Sequence, residues 1–350
     1  FAVSCQIFFS ASGKKREETG LTQAAWHEGR LHVRHRIDPS ITGLYPCFYG
    51  GGGSCAFDRL KFLELGGFDP LLAPFYLEDT DLGFLAWKRG WKVLYQPRSV
   101  VHHEHRGTIG RHFSRQHIEA AYNKNFALFS WKNIHEWRRL AAHFAFAFSE
   151  AIASALLGNA PARTNALVLW RAFRQLPQAL GSRWRARGLA LAEVNDTEAF
   201  VRHLGGYYRD RFDDLERLPP SEPVRVLFVS PYPICPPVHG GAVFMHGTVA
   251  ELTRLCELHL IVLLERPEET AAHRNLAQLC ASAEFLVRAG GPPKSFGSIV
   301  PHAVDESRDE DLAWTIHRQI YTRKTDVIQL EYTALAQYAG GYRRVVNALF

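Results

Sequence analysis

Apolar runs alternate with helical stretches over the last third of the chain, and this alternation constrains the fold more than any other feature of the sequence. The runs are VRVLFVS at 224–230, LHLIVLL at 258–264, AEFLV at 283–287, DVIQLEY at 326–332 and RVVNALF at 344–350. An apolar run without polar alternation is typical of a strand buried on both faces of a parallel sheet. Strands alternating with helices predict a doubly wound, parallel α/β domain over residues 221–350.

The first 110 residues combine strand and helix patterns with Gly-rich turns. The predicted strands are 1–9, 31–36, 91–97 and 99–103, and the predicted helices are 58–65 and 80–89. Gly66 and Gly90 directly follow the two helical patterns, which is where a glycine commonly ends a helix. We therefore predict a separate α/β region over residues 1–110.

Residues 111–220 are rich in Ala, Leu, Arg and Trp and carry few strand signals, so we predict a helical connector that ends in a linker. Its most apolar stretch is 140–157, where His143 and Glu150 interrupt the run. That length is marginal for a membrane span. The interruptions favour a packed or interfacial helix.

The formal net charge of +6 is concentrated in one part of the connector, where residues 163–187 hold six arginines and no acid. The segment also contains Trp170, Phe173 and Trp184. Basic and aromatic residues in one helical segment can be interpreted in two ways, as a contact with an anionic membrane surface or as a solvated helix face. Nucleic acid is not an expected partner, because no recognised nucleic-acid module accompanies the charge. We expect a cytoplasmic protein, with the membrane contact left open.

The cysteines and the chain ends bear on the setting of the protein. Six cysteines stand at positions 5, 47, 55, 235, 256 and 280, and none forms a Cys-x-x-Cys pair. This predicts reduced thiols in a cytoplasmic protein, neither a disulfide framework nor a zinc site. The first and last residues lie inside apolar runs and Met245 is the only methionine. These features predict an internal part of a longer protein.

Three acids follow an apolar run in the segment APFYLEDTDLGFLAWKRGW at 73–91, namely Glu78, Asp79 and Asp81. Acidic residues are rarely buried unless they are paired. One interpretation is helix capping, in which Asp79 or Thr80 accepts from the free N–H groups of helix 80–89 and the acids complement its dipole. The other is general base chemistry, in which a carboxylate takes a proton from a sugar hydroxyl.

A calcium loop is excluded as a third interpretation of these acids. The spacing from Asp79 to Gly83 resembles the start of an EF-hand. The sixth position should then be glycine and the twelfth glutamate. Those positions hold Phe84 and Gly90.

The wider segment LGGFDPLLAPFYLEDTDLGFLAWKRGWKVLYQPRSVVHHEHRG resembles the second half of a family 2 glycosyltransferase with the GT-A fold. The resemblance combines Gly-Gly-Phe-Asp, Glu-Asp-x-Asp-Leu-Gly, Gly-Trp-Lys-Val and a proline-containing strand that ends in histidine. It covers roughly residues 1–135. It implies a partial GT-A module with a Rossmann-like mixed sheet.

For the acceptor side, the resemblance implies that Asp79 is the general base that deprotonates the acceptor hydroxyl. Glu78 would help to shape the acceptor site, and Asp81 is assigned to the same acceptor or sugar site. The segment YGGGGS at 49–54 is not a phosphate-binding P-loop, because no Gly-Lys-Ser/Thr follows it. We predict a loop bordering the sugar, with close backbone approach at Gly51, Gly52 and Gly53.

For the donor side, the resemblance implies that His103 reaches the metal–diphosphate region, where Mg or Mn would be the divalent cation. The segment HHEHR at 102–106 is not His-Glu-x-x-His, because position 107 is glycine. Arg106 either faces the diphosphate, for which arginine is well suited, or is a surface residue. The family's Asp-x-Asp metal motif would precede residue 1.

The segment VRVLFVSPYPICPPVHGGAVFMHGTVAEL at 224–252 resembles the first strand-loop-helix unit of a family 4 glycosyltransferase of the GT-B fold. A helix N-terminus with glycines is a natural anion site. The resemblance covers about 224–350 and implies that Gly240 and Gly241 lie near the donor phosphates. The other interpretation is a generic Rossmann-like unit.

Together these patterns predict a glycosyltransferase that moves a hexosyl or deoxyhexosyl group from a nucleotide sugar to a glycan or lipid-linked acceptor, with inversion at the GT-A site. Polysaccharide or cell-wall synthesis is an expectation from the family alone. Two other classes stay open: a non-catalytic module that binds carbohydrate or a partner, and a metal-dependent hydrolase.

Overall fold

We describe a computed structural model of the chain. It describes residues 1–9, 20–103, 109–157, 165–213, 222–288, 302–343 and 345–349. The chain divides into two compact units, Phe1–His203 and Leu204–Phe350.

The first unit contains short strands followed by a long series of helices. Its strands are β1 (Ala2–Phe9), β2 (Thr22–His27), β3 (Arg30–His35), β4 (Tyr45–Pro46), β5 (Cys55–Phe57) and β6 (Val93–His103). Its helices are α1 (Arg59–Glu64), α2 (Glu78–Lys88), α3 (Ile109–His112), α4 (Arg115–Asn133), α5 (Trp137–Leu157), α6 (Ala166–Phe173), α7 (Leu176–Leu189) and α8 (Asp196–Val201). The first unit thus takes in most of the range predicted as a connector.

The main sheet of the first unit is mixed, with strand order β4-β6-β1-β5. β1 runs parallel to β6, beginning with Ala2 opposite Val93, and antiparallel to β5. The pairing shifts after Cys5, which faces Gln96, whereas the next residue of β1 faces Val100. Pro97 lies in this bulge, where its missing N–H removes no ladder hydrogen bond. The bulge explains why two strands, 91–97 and 99–103, are predicted where the structure has one.

Helix α2 carries the three acids and is buried along nearly its whole length. The residues from Thr80 to Lys88 are all buried, and the Trp87 Nε1 donates to the carbonyl of Phe48 at 2.9 Å. The helix begins at Glu78, one position before Asp79, and its N-cap residue Leu77 makes no side-chain capping bond. The predicted capping by Asp79 or Thr80 is therefore wrong, because both lie inside the first turn.

Gly83 marks the closest approach of α2 to the loop before β5. A Cβ built at Gly83 would lie 2.5 Å from the carbonyl oxygen of Phe48 and 2.5 Å from the Cβ of Tyr49. We expect Gly83→Ala to lower the free energy of unfolding by about 1–3 kcal/mol, the usual cost of overpacking a core. Chemical denaturation measures it.

Gly181→Ala is the matched control, because Gly181 lies inside helix α7 and a Cβ there meets nothing closer than 3.9 Å. Alanine at an open helical position should raise the free energy of unfolding by about 0.5–1 kcal/mol. Equal effects at the two positions would contradict the described packing of α2.

Within the described part of the chain, no helix combines the length and the apolarity needed to cross a membrane. This includes α5, which spans the apolar stretch identified in the sequence.

The second unit is a parallel α/β sheet, as predicted. Its strands are β7 (Arg225–Ser230), β8 (Glu257–Leu264), β9 (Ser282–Val287), β10 (Val327–Leu330) and β11 (Val346–Leu349). Its helices are α9 (Gly205–Phe212), α10 (Gly240–Leu255), α11 (Arg274–Leu279), α12 (His302–Glu306) and α13 (Glu310–Arg323). The strand order is β11-β10-β7-β8-β9, with every pair parallel. The α/β class predicted from the apolar runs is confirmed.

Each face of this sheet packs on its own core. Phe228 and Val262 belong to the core on one face, whereas Leu227 and Ile261 belong to the core on the other. Both faces are apolar because both are covered, which explains the continuous apolar runs. The direction in which successive strands are added reverses between β7 and β10, and ligands of such sheets bind beyond the carboxyl ends of the strands at this switch point.

Candidate functional site

The Asp79 carboxylate lies beneath the glycine loop that precedes β5. Its Oδ1 accepts from the Thr80 backbone N–H at 2.7 Å and from the Thr80 hydroxyl at 3.3 Å. Its Oδ2 faces the loop, since a Cβ built at Gly51 would lie 3.9 Å from that oxygen. One oxygen of Asp79 is therefore held by α2, and the other faces the predicted sugar loop.

The pKa values of the two neighbouring carboxyl groups are both raised. Burial raises the pKa of Asp79 above its ordinary value, and hydrogen bonds from Thr80 and Gly52 oppose the shift without cancelling it. Burial also raises the pKa of Glu78, and the charge of Asp79 adds to the shift. The Glu78 Oε2 is buried and has no hydrogen-bond partner among the described residues. A raised carboxyl pKa lies nearer the operating pH and suits a general base.

A strained turn places these two acids at the start of α2. Tyr76 and Leu77 both have φ of 72°, a conformation that bulky residues rarely adopt. The buried Asn125 of α4 holds the turn, because its Nδ2 lies 2.5 Å from the carbonyl oxygen of Leu72 and 3.0 Å from those of Phe75 and Tyr76. Strain of this kind persists only where the surroundings fix it. Asn125 is therefore a positioning residue for the start of α2.

A second contact from α4 fixes the next turn of α2. The Lys132 Nζ lies 2.6 Å from Asp81 Oδ2 and 2.9 Å from Asp69 Oδ2. The Asn133 Nδ2 donates to Asp81 Oδ1 at 2.7 Å. The Asp81 side chain is fully buried, at 0% exposure. This arrangement gives Asp81 a structural role and does not favour the sugar contact predicted from the sequence.

The pKa values in this cluster show that its charges support one another. Burial acts to lower the pKa of Lys132, but the carboxylates of Asp81 and Asp69 outweigh it and the net shift is upward. Burial acts to raise the pKa of Asp69, but the Lys132 ammonium and the hydrogen bonds from the Leu71 N–H and the Ser182 side chain together outweigh it, and the net shift is downward. Lys132 and Asp69 are therefore both charged in the folded protein at neutral pH.

Neither packing nor backbone conformation requires glycine in the loop above Asp79. Gly51, Gly52 and Gly53 do not have positive φ. A Cβ would meet nothing within 4 Å at Gly53 and only the Phe68 ring, at 3.7 Å, at Gly52. The backbone of this loop therefore has open space beside it, which a ligand could occupy.

The predicted metal and phosphate contacts of the first unit receive no direct support. His103 is the last residue of β6 and is exposed, and Arg106 lies outside the described residues. In the ranges that the structure covers, no group of three or more His, Cys, Asp or Glu side chains is arranged to hold a metal ion. These residues do not by themselves fit a divalent cation, and the role of His103 stays a prediction.

In the second unit, Gly240 and Gly241 form the first turn of α10, after the N-cap residue His239. A Cβ would meet nothing at Gly240, but at Gly241 it would lie 2.1 Å from the Tyr332 hydroxyl and 2.2 Å from the Tyr232 hydroxyl. These two hydroxyls are hydrogen-bonded to each other. The tyrosines follow β7 and β10, the strands on either side of the switch point. A side chain at position 241 would therefore have to displace these two tyrosines, which the sequence did not single out.

The sequence does not reveal that Asn125 and Lys132 contribute to the site around Asp79 in the first unit. They stand seven positions apart on α4, which places them on the same face of the helix. That spacing indicates a shared face. It does not indicate which acids or carbonyl groups the face meets.

Comparisons with known proteins give limited similarity. No protein-family model matches the chain, and no curated protein matches it. Among solved structures, 34 chains match. One of them is a crystal structure of GalNAc-T7 with UDP, GalNAc and Mn2+, with 18% sequence identity and a TM-score of 0.30. The match covers 51% of this chain and 36% of the GalNAc-T7 chain. Similarity of this size carries no conclusion about function.

Proposed function

We propose that the first unit carries the acceptor side of a glycosyltransferase site, with Asp79 as the general base. The observation that supports it most directly is the Asp79 carboxylate, held on one side by Thr80 and facing an accessible glycine loop on the other. The donor is a nucleotide sugar and the acceptor a glycan or a lipid-linked glycan, as the resemblance to family 2 implies.

In the proposed reaction, Asp79 Oδ2 takes the proton of an acceptor hydroxyl while that oxygen attacks the anomeric carbon. A new carbon–oxygen bond forms, and the bond from the anomeric carbon to the nucleoside diphosphate breaks. A single displacement of this kind inverts the anomeric configuration. The described residues contribute the base, its orientation and the loop at the sugar, and no step is assigned to a metal ion.

The glycine loop supports a sugar site beside Asp79 independently of the acids, whether or not the site is catalytic. Nothing in the fold prevents alanine at Gly53, since a Cβ there would meet no atom within 4 Å. Close approach of the substrate is the reason that the proposal gives for glycine at this position.

The pKa of Asp79 makes the proposal testable through the pH dependence of the reaction. Because the pKa is raised, the base loses activity as the pH falls through a value above the ordinary 3.8 of an aspartate. We expect the acidic limb of the kcat/KM profile to lie above that pH. The measurement is a pH–rate profile of sugar transfer by the full-length gene product.

Thr80→Val sharpens this test, because the Thr80 hydroxyl donates to Asp79 and lowers its pKa. Removing the hydroxyl should move the acidic limb to higher pH. A limb that is unchanged in Thr80→Val would mean that another group controls the rate. Thr80 is buried, so the folded state of the variant is checked by circular dichroism.

A non-catalytic carbohydrate-binding module is the second candidate, and the accessible loop fits it equally well. A metal-dependent hydrolase is the third. Incubating the full-length gene product with labelled nucleotide sugars and glycan acceptors separates them. A glycosylated acceptor supports transfer, free sugar alone supports hydrolysis, and binding without either product supports the module.

A further inference from the structure

A shallow cavity of about 400 Å³, wide open to solvent, lies beside the glycine loop of the first unit. It is lined by Gly52, Cys55, Phe57, Arg59, Phe62 and Phe68. Two of these residues interact with Asp79: Gly52 through its backbone hydrogen bond, and Cys55 through charge, since Asp79 adds to the burial that raises the thiol pKa to about 12. Its volume falls in the range of about 300–1,000 Å³ that is common for ligand pockets. The cavity therefore adjoins the proposed base.

Three phenylalanines form one wall of this cavity. The ring centroids lie 5.3 Å apart for Phe57 and Phe62, 5.4 Å apart for Phe62 and Phe68, and 6.2 Å apart for Phe57 and Phe68. Phe68 keeps 42% of its surface exposed. A pyranose ring presents C–H bonds on one face, and these pack well on the negative face of an aromatic ring. The wall therefore suits a sugar better than a purely polar ligand.

Arg59 brings an uncompensated positive charge to the same cavity. The neighbouring acids have other partners, since Asp58 pairs with Lys61 at 3.4 Å and Glu64 pairs with Arg89 at 2.8 Å. Among the described residues, Arg59 makes no ion pair. It is also the first residue of α1, where a cation gains nothing from the helix dipole. Helix stability therefore gives no reason for a positive charge at this position.

We propose that this cavity binds the ring of the acceptor sugar and that the sugar carries a negative charge. Phe68 packs against the apolar face of the ring, and Arg59 binds the charged substituent, either a uronate carboxylate or a phosphate. The guanidinium group suits both, because its planar set of N–H groups matches either anion. This inference rests on the proposed function, since it makes the cavity the acceptor subsite next to Asp79.

Ligand-observed NMR titration of the full-length gene product tests the subsite without requiring turnover. The probes are methyl β-glucuronide, glucose 6-phosphate, methyl β-glucoside and ethyl phosphate. We expect at least one anionic sugar to bind about five- to tenfold more tightly than the glucoside, in line with a charge-assisted hydrogen bond at an exposed rim. The tighter of the two anionic sugars identifies the substituent as carboxylate or phosphate.

Two variants and two matched controls assign the binding to the named residues. Arg59→Gln should remove the preference for the anionic sugar, and Phe68→Ala should weaken every sugar by about three- to tenfold. Arg138→Gln should leave the preference for the anionic sugar unchanged, and Phe148→Ala should leave the sugar affinities unchanged. The two controls alter an exposed arginine and a phenylalanine of 44% exposure, both on α5.

Three results would overturn the subsite: no sugar binding, equal affinity for the glucoside and both anionic sugars, or ethyl phosphate binding as tightly as the anionic sugars. The first result would show that the cavity does not bind sugar. The second would show that it does not recognise a negative charge, and the third would show an anion site without contact to the sugar ring. Any of these leaves the transfer proposal standing, because that proposal depends on turnover. Binding as predicted without any transfer would overturn the catalytic role of Asp79 and keep the subsite.

Discussion

Replacing Asp79 with asparagine should lower the rate of sugar transfer by about 10²–10⁴-fold, the usual contribution of a positioned general base. The asparagine side-chain oxygen can still accept from the Thr80 N–H, so the start of α2 keeps its local hydrogen bond. The amide cannot take a proton from the acceptor hydroxyl. The measurement is the initial rate of product formation by the full-length gene product at saturating donor and acceptor.

Asp38→Asn is the control for this variant, because Asp38 lies in the loop between β3 and β4, where it accepts hydrogen bonds from the backbone N–H and hydroxyl of Ser40. It should leave the rate unchanged. Circular dichroism and the melting temperature verify that both variants fold. Transfer by folded Asp79→Asn at a rate close to that of the wild type would show that the base is another group.

Lys132→Met should destabilise the first unit by about 3–5 kcal/mol, because it removes the nearest cation from two buried carboxylates. Asp81 is fully buried and Asp69 is 9% exposed, and both contact the Lys132 Nζ. Breaking a buried ion pair is costly because the remaining charges stay desolvated. Chemical denaturation followed by far-ultraviolet circular dichroism measures the loss.

Lys61→Met is the matched control, since the Lys61 pair with Asp58 is exposed and should contribute at most about 1 kcal/mol. Neutralising both acids in Lys132→Met/Asp69→Asn/Asp81→Asn should restore part of the lost stability. If the free energy of unfolding of Lys132→Met were within about 1 kcal/mol of the wild-type value, the cluster would not hold α2 in place.

The pH dependence of stability follows from the same cluster. The pKa of Asp69 is lowered, so its contribution is present above the ordinary pKa of 3.8 and is lost as the pH falls through the lowered value. The pKa of Lys132 is raised, so its contribution is present below the ordinary 10.5 and is lost as the pH rises through the raised value. The difference in stability between wild type and Lys132→Met should therefore be largest between these limits.

The parallel sheet of the second unit could be predicted because its signal is local. The runs at 224–230 and 258–264 correspond to β7 and β8 within one residue at each end. A strand covered on both faces has to be apolar at every position, and this pattern is visible without knowledge of its neighbours.

The start of α2 could not be predicted in detail because it depends on a distant helix. The sequence favours Asp79 or Thr80 as the cap, since short oxygen-bearing side chains are common there. In the structure, the turn is held by Asn125, which lies 49 positions after Tyr76 in the sequence. Local preference gives way where tertiary contacts fix the backbone.

The role of Asp81 illustrates the same limit for the candidate site. The acids at 78, 79 and 81 look alike as sequence, yet Asp81 meets Lys132 and Asn133 whereas Asp79 faces the glycine loop. Only the packing of α4 against α2 separates a structural acid from a candidate base. A single sequence without its folded partners does not contain this distinction.

The anomeric configuration of the product is the most direct test of the central claim. The full-length gene product is incubated with a nucleotide sugar and a glycan acceptor, and proton NMR reads the new linkage at early times. A single displacement assisted by Asp79 predicts inversion, so that an α-linked donor sugar appears as a β-linked product and a β-linked donor sugar as an α-linked product. If the product that is lost in Asp79→Asn keeps the donor's own configuration, or if only free sugar forms and no acceptor is glycosylated, the role of Asp79 as the base of an inverting glycosyltransferase is contradicted.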